Sequence, residues 1–279
     1  MRLRAPGVVL LTVGLLVGCA AVQPGTMTDR DGWGIQRAFL PHRQQPSKQI
    51  EIVWTTPVGS GPWPAVLFIH GHQEPFRDGG EAYVKNGRLG RVASRGYVAA
   101  AVSQPGYGRS DGPPDFCGPY TQEAVLGALD FLRTQPFVLP HKVALYGYGR
   151  GAIVASMVAA QAPQLAAVIL GAGAYDLFQW YPTPVRGIDA NIEHEAGTSA
   201  AAFRARSAIL HVDTIKAPML LLHGAQDERV PVRQAEAFAE ALRAKRIAVK
   251  VKIFPHARHR IPVEEQDREI LPFLEESLR

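Results

Sequence analysis

The sequence is poor in cysteine, in net charge and in long apolar runs, and each shortage excludes a class of protein. Only 2 of its 279 residues are Cys, too few for a disulfide-stapled scaffold. Lys and Arg number 30 against 25 Asp and Glu. Two of the basic residues, Arg2 and Arg4, stand at the extreme N-terminus, and the small, scattered surplus that remains does not describe a nucleic-acid-binding surface. The apolar run near the N-terminus is shorter than the ~20 residues a membrane-spanning helix needs. There is no internal repeat. With 27 Gly, 22 Pro and 47% hydrophobic residues, the composition is that of an ordinary globular chain, neither collagen-like nor disordered.

The N-terminus carries an address. Arg2 and Arg4 precede an apolar stretch over residues 8–17, the order of a secretory signal. It ends in Leu16-Val17-Gly18-Cys19, which resembles the bacterial lipobox. That resemblance implies a signal peptide over residues 1–18, lipidation of Cys19, and a lipid-anchored protein of the bacterial cell envelope. With Ala20 behind the cysteine, it implies the outer membrane where two membranes exist. An ordinary apolar helix with an incidental cysteine is the bland alternative. A lipidated Cys19 leaves Cys117 as a free thiol, either buried and inert or reactive. Residues 19–45, rich in Gln, Pro, Gly and Thr and without periodicity, read as a tether, on which Trp33, Ile35, Phe39 and Leu40 could dock.

From residue 46 the pattern changes. Apolar runs at 66–69, 97–102, 143–146, 168–170 and 219–222 have no polar face and read as strands buried on both sides. Between and after them, residues 121–133, 231–244 and 262–278 carry apolar stripes at helical spacing, the last two opening on Pro231 and Pro262. Strand and helix in alternation predict an α/β fold with a doubly wound, mostly parallel sheet. No linker divides residues 46–279. The less regular stretch 175–213 is a candidate lid.

In such a sheet, functional residues gather at the carboxyl ends of the strands. Those ends read His70-Gly71-His72-Gln73, Gly147-Tyr148-Gly149-Arg150-Gly151, His223-Gly224-Ala225-Gln226-Asp227-Glu228-Arg229-Val230-Pro231 and Pro255-His256-Ala257-Arg258-His259. Here residues 46–279 resemble the α/β-hydrolase fold, and within it the dienelactone hydrolases and the prolyl-oligopeptidase-type serine peptidases. The resemblance implies an acid at Asp227, a base at His259, and an oxyanion site formed by the backbone N–H of Arg150 with that of His72 or Gln73. It also implies hydrolysis of ester or peptide bonds without a cofactor, in a cleft for a small ester, lipid or peptide, with no nucleic acid involved. The chain order of elbow, acid and base is the family's.

The family's elbow reads Gly-x-Ser-x-Gly, and the position of its serine is Gly149 here. Acyl-enzyme chemistry needs an oxygen at that place, so the expectation is an inactive or residually active, ligand-binding homologue. The alternative is a working esterase or peptidase that uses a surrogate nucleophile, Cys117 or Ser110, or a water activated by Asp227 and His259. Asp227, beside Glu228 and Arg229, also reads as a solvated turn, and His259, among His256, Arg258 and Arg260, as a charged surface loop. His70 and His72 lack a third ligand at a diagnostic spacing, so no metal is expected.

Overall fold

The computed structural model describes residues 21–74 and 77–278. The signal sequence and Cys19 lie outside these residues. Nine strands form one sheet: β1 (Ala21–Thr28), β2 (Gly34–Pro41), β3 (Gln49–Thr55), β4 (Trp63–Ile69), β5 (Val98–Val102), β6 (Val138–Tyr148), β7 (Ala167–Gly171), β8 (Met219–Gly224) and β9 (Val249–Phe254). Their spatial order is β1-β2-β3-β5-β4-β6-β7-β8-β9. The first three strands and β5 pair antiparallel, and from β5 to β9 every pair is parallel.

The buried strands divide their side chains between two cores because successive residues point to opposite faces. In β4, Ala65, Leu67 and Ile69 join one core while Val66 and Phe68 join the other. The first core lies beneath α3 (Pro119–Thr134), α4 (Arg150–Gln161) and α8 (Arg233–Ala244). The second lies beneath α1 (Glu81–Lys85), α2 (Arg88–Ala93) and α9 (Val263–Leu278). This is the doubly wound, mostly parallel α/β architecture expected, with each predicted strand and helix in place. The outer strand β9 alternates Val249 and Val251 against the core with exposed Lys250 and Lys252, the charge that keeps a free edge from pairing further.

The expected tether is corrected. Residues 21–28 and 34–41 are strands, and Ile35, Ala38 and Leu40 are buried. Charge in this stretch is also paired: Arg37 on β2 lies 2.7 Å from the fully buried Glu51 and also meets Glu81. The sheet therefore begins well before residue 46. Between β7 and β8, residues 175–213 form three short helices, α5 (Leu177–Trp180), α6 (Arg186–Glu195) and α7 (Ala200–Arg204), followed by a 3-10 turn. Among the described residues no helix is long and apolar enough to cross a membrane.

Candidate functional site

The parallel strands end on one edge of the sheet, and the loops that leave them converge. β6 runs into α4 through Gly149, whose backbone has φ 55° and ψ −118°. The turn is held by the Gly149 N–H donating to the Gly171 carbonyl at 2.8 Å and by the Ala152 N–H donating to the Gly149 carbonyl at 3.0 Å. It is tight enough that a Cβ on Gly147 would collide with the carbonyl of Gly151, and one on Gly151 with the carbonyl of Ile69. At Gly149 the situation is reversed. A Cβ there would meet one atom within 4 Å, Nε2 of His259 at 3.5 Å.

His259 is in turn oriented by Asp227. Its Nδ1 lies 2.8 Å from Oδ2 of Asp227, whose side chain is wholly buried. The acid loop and the base loop are laced together, with the Gln226 N–H donating to the Ala257 carbonyl at 3.0 Å. The other oxygen of Asp227 accepts the N–H groups of Arg229 and Val230, each at 2.9 Å. Burial opposes its charge, but hydrogen bonds from His223 and His259 outweigh that cost and hold the carboxyl well below the usual range. The two side chains thus form one hydrogen-bonded pair, Asp227 buried and His259 at the cleft, rather than belonging to a solvated turn and a surface loop.

Three residues already singled out at the strand ends, His223 as part of the acid segment, have supporting contacts that the sequence does not reveal. Tyr148 donates its hydroxyl to the His259 carbonyl at 2.7 Å and accepts the Ile261 N–H at 2.9 Å, clamping the base loop on both sides. His223 places Nε2 at 2.8 Å from the Val230 carbonyl and 3.3 Å from Oδ2 of Asp227, bracing the acid from behind. His70 accepts the Gln104 N–H at Nε2 (3.1 Å), so Nδ1 carries the proton and donates to the Gly71 carbonyl at 2.8 Å. Burial lowers its pKa to about 4, and both ring nitrogens are engaged in fixing the turn before His72. The Tyr148 clamp and the Gln104 contact of His70 reach backbone atoms distant in sequence, so no spacing announces them.

Arg150 opens α4, so its N–H is one of the helix's unpaired first donors. Gly71 lies beside it, close enough that a Cβ there would be 4.0 Å from that nitrogen. His72 lines the same cleft, whereas Gln73 spends its side chain on Gly79, accepting its N–H at 2.7 Å and donating to its carbonyl at 3.0 Å. The Arg150 side chain turns to Glu195 of α6, at 3.0 Å in a nearly buried ion pair, and lies over the ring of Phe116. The cleft around Gly149 and His259 encloses about 740 Å³, its open mouth included, with Trp180 and Ile188 from the 175–213 segment among its walls.

The candidate surrogates do not face this cleft. Burial pushes the Cys117 thiol up to about 12, and its Sγ is directed at the Arg150 carbonyl at 3.4 Å. A thiol held protonated is a poor nucleophile. Ser110 donates to the Ser103 carbonyl at 2.6 Å and accepts the Glu51 N–H at 2.9 Å, so its hydroxyl is committed to the sheet.

Residues 89–278 match the profile of the prolyl oligopeptidase family. The chain belongs to that family. Its relatives include acylamino-acid-releasing enzyme 2 of Oryza sativa subsp. japonica, 26% identical over 224 residues that cover 74% of this chain and 28% of the relative. The chain thus spans less than a third of that protein. Among solved structures, Pyrococcus horikoshii acylaminoacyl peptidase superposes with a TM-score of 0.76 at 20% identity, covering 88% of this chain and 42% of that one. Acetyl xylan esterase 1 from Thermoanaerobacterium superposes at 0.73 and 13% identity, covering 92% and 87%. At these identities the structural likeness shows a shared α/β-hydrolase fold.

Proposed function

We propose that this prolyl oligopeptidase family member is a disarmed hydrolase, which binds a small ester, lipid or peptide in its cleft and cleaves it slowly or not at all. One observation carries this reading: the position facing Nε2 of His259 is Gly149, which has no side chain. The family's elbow places a serine hydroxyl there. His259 is oriented by Asp227 as a general base would be, yet it has no hydroxyl to deprotonate. Losing the nucleophile of a triad leaves a residual acceleration of about 10³–10⁴ over water, supplied by binding and the oxyanion site. The N–H groups at Arg150 and at His72 or Gln73 are the donors assigned to that site, at the start of a helix where an oxyanion is stabilised.

The second reading, a slow hydrolase in which Asp227 and His259 activate water, is favoured by the open space at Gly149 next to Nε2. It requires that His259→Ala abolish whatever rate the natural protein has. The first reading is tested with a fluorophosphonate that phosphonylates activated serines. The full-length chain is expected to stay unlabelled, and Gly149→Ser is expected to be labelled in a manner that His259→Ala removes. Labelling of the natural chain would overturn it.

Anchoring at the bacterial envelope through Cys19 belongs to the same proposal and rests on the lipobox-like sequence. Palmitate fed to expressing cells is expected to enter the natural chain and not Cys19→Ser. Equal incorporation in both would refute the anchor.

A further inference from the structure

The charged groups that line the cleft are all basic or imidazole. Its charged walls come from Arg150, Arg229, Arg260, His72 and His259, and among the described residues no Asp or Glu lines it. The carboxylates of Asp227 and Glu195 lie behind this surface, and the exposed Glu228, next to Arg229 in sequence, is not among the residues that line it. Asp227 is wholly buried against His259, and Glu195, 6% exposed, neutralises Arg150. At the rim, Glu74 stands 3.8 Å from His72 and also pairs with Arg77. That leaves Arg229 and Arg260, both exposed and, among the described residues, without an ion pair.

These two arginines flank the dyad on backbone that cannot move freely. Arg229 follows Asp227 by two residues, with its N–H bound to Oδ1 of Asp227 and its carbonyl accepting Nε1–H of Trp180 at 3.0 Å. Arg260 lies between His259 and Ile261, both tied to the single hydroxyl of Tyr148. The backbone that carries each guanidinium is therefore held at the cleft, while among the described residues the guanidinium donors make no hydrogen bond or ion pair. The cleft also has apolar walls, the buried Phe116, Ile153 and Trp180 and the half-buried Ile188. Buried apolar walls beside exposed cationic ones match a molecule with a hydrocarbon body and an anionic end.

We infer that the cleft selects ligands bearing a carboxylate, seated between Arg229 and Arg260 with an apolar acyl or aryl body on Trp180 and Ile188. Guanidinium groups suit this role because their planar fork pairs with both carboxylate oxygens. The inference rests on reading the cleft as a ligand site and gives that ligand a chemical class.

The test is calorimetric titration of the full-length chain in non-ionic detergent with three probes of one shape: phenylbutyrate, phenylbutyramide and phenylbutylamine. The carboxylate is expected to bind about tenfold tighter than the amide, and the amine most weakly. The preference is expected to shrink in about 1 M salt, where charges are screened beyond about 3 Å. Arg229→Gln/Arg260→Gln is expected to bind carboxylate and amide alike, and Arg229→Lys/Arg260→Lys to keep part of the preference. Equal binding of the three probes, binding of none, or a preference that survives the double Gln variant would each overturn the inference. Its failure is separable from that of the disarmed-hydrolase reading. If Gly149→Ser hydrolyses anionic and neutral esters equally, this inference alone falls. If the carboxylate binds as expected and Gly149→Ser stays inert, the hydrolase reading alone falls.

Discussion

Gly149 and His259 face each other across the cleft with room for one more side chain: a Cβ at position 149 would lie 3.5 Å from Nε2 of His259 and, its two chain neighbours aside, within 4 Å of no other described residue. The elbow around it is fixed by collisions that any side chain at Gly147 or Gly151 would cause. On the proposed reading this is the seat of a nucleophile with its geometry kept, and it holds a residue with no functional group.

Restoring a side chain there has a cost. A φ of 55° paired with a ψ of −118° is strained for any residue with a Cβ, by about 1–3 kcal/mol. Gly149→Ser is accordingly expected to lower the melting temperature by several degrees, and calorimetric melting of the two proteins checks it. A variant as stable as the natural chain would show that the elbow relaxes.

The Tyr148 clamp is open to the same scrutiny. Tyr148→Phe removes the donor to the His259 carbonyl and leaves the Ile261 N–H without its acceptor, a loss of about 1–3 kcal/mol for an unsatisfied buried donor. In a Gly149→Ser background it is expected to lower kcat at least tenfold with little change in KM, because the base loses its position rather than the ligand its contacts. Equal effects on both constants would argue against a positioning role.

His70 makes stability depend on pH. Burial holds its folded pKa at about 4, below the ordinary 6.5, so between these values the unfolded chain binds a proton that the folded chain does not. Folding stability contributed by neutral His70 is complete above pH ~6.5 and falls as the pH drops toward ~4, by up to about 3 kcal/mol. Denaturant melts of the natural protein and His70→Asn, from pH 5 to 7, are expected to converge as the pH falls. Parallel curves would show that His70 is not buried neutral.

How much of this was legible in the sequence depended on where the energy came from. The central strands announce themselves because both faces are buried, so Val66 to Ile69 need no polar residue at all. Asp227 and His259 were legible because the loop residues around them, His223, Gly224 and Pro255, travel with the chemistry. The β1 and β2 strands were not, because an outlying antiparallel strand tolerates polar residues, and Arg37 gains its burial only from Glu51 and Glu81, distant in sequence. Glu195 was hidden for the same reason. Nothing in its own segment announces the partner it finds in Arg150.

That pair ties the 175–213 segment to the elbow helix. Glu195→Ala leaves the largely buried Arg150 without its counter-charge, a loss of about 3 kcal/mol. The expected signature is a lower melting temperature with faster proteolytic nicking inside residues 175–213. Unchanged nicking would mean that the segment is held by its apolar contacts alone.

The most direct test of the central claim is a time course of short-chain aryl ester hydrolysis by the natural chain, by Gly149→Ser and by Gly149→Ser/His259→Ala. The natural chain is expected near background, the serine variant to gain saturable turnover, and the double variant to lose it. Saturable hydrolysis by the natural chain, at a rate comparable with that of Gly149→Ser, would contradict the account.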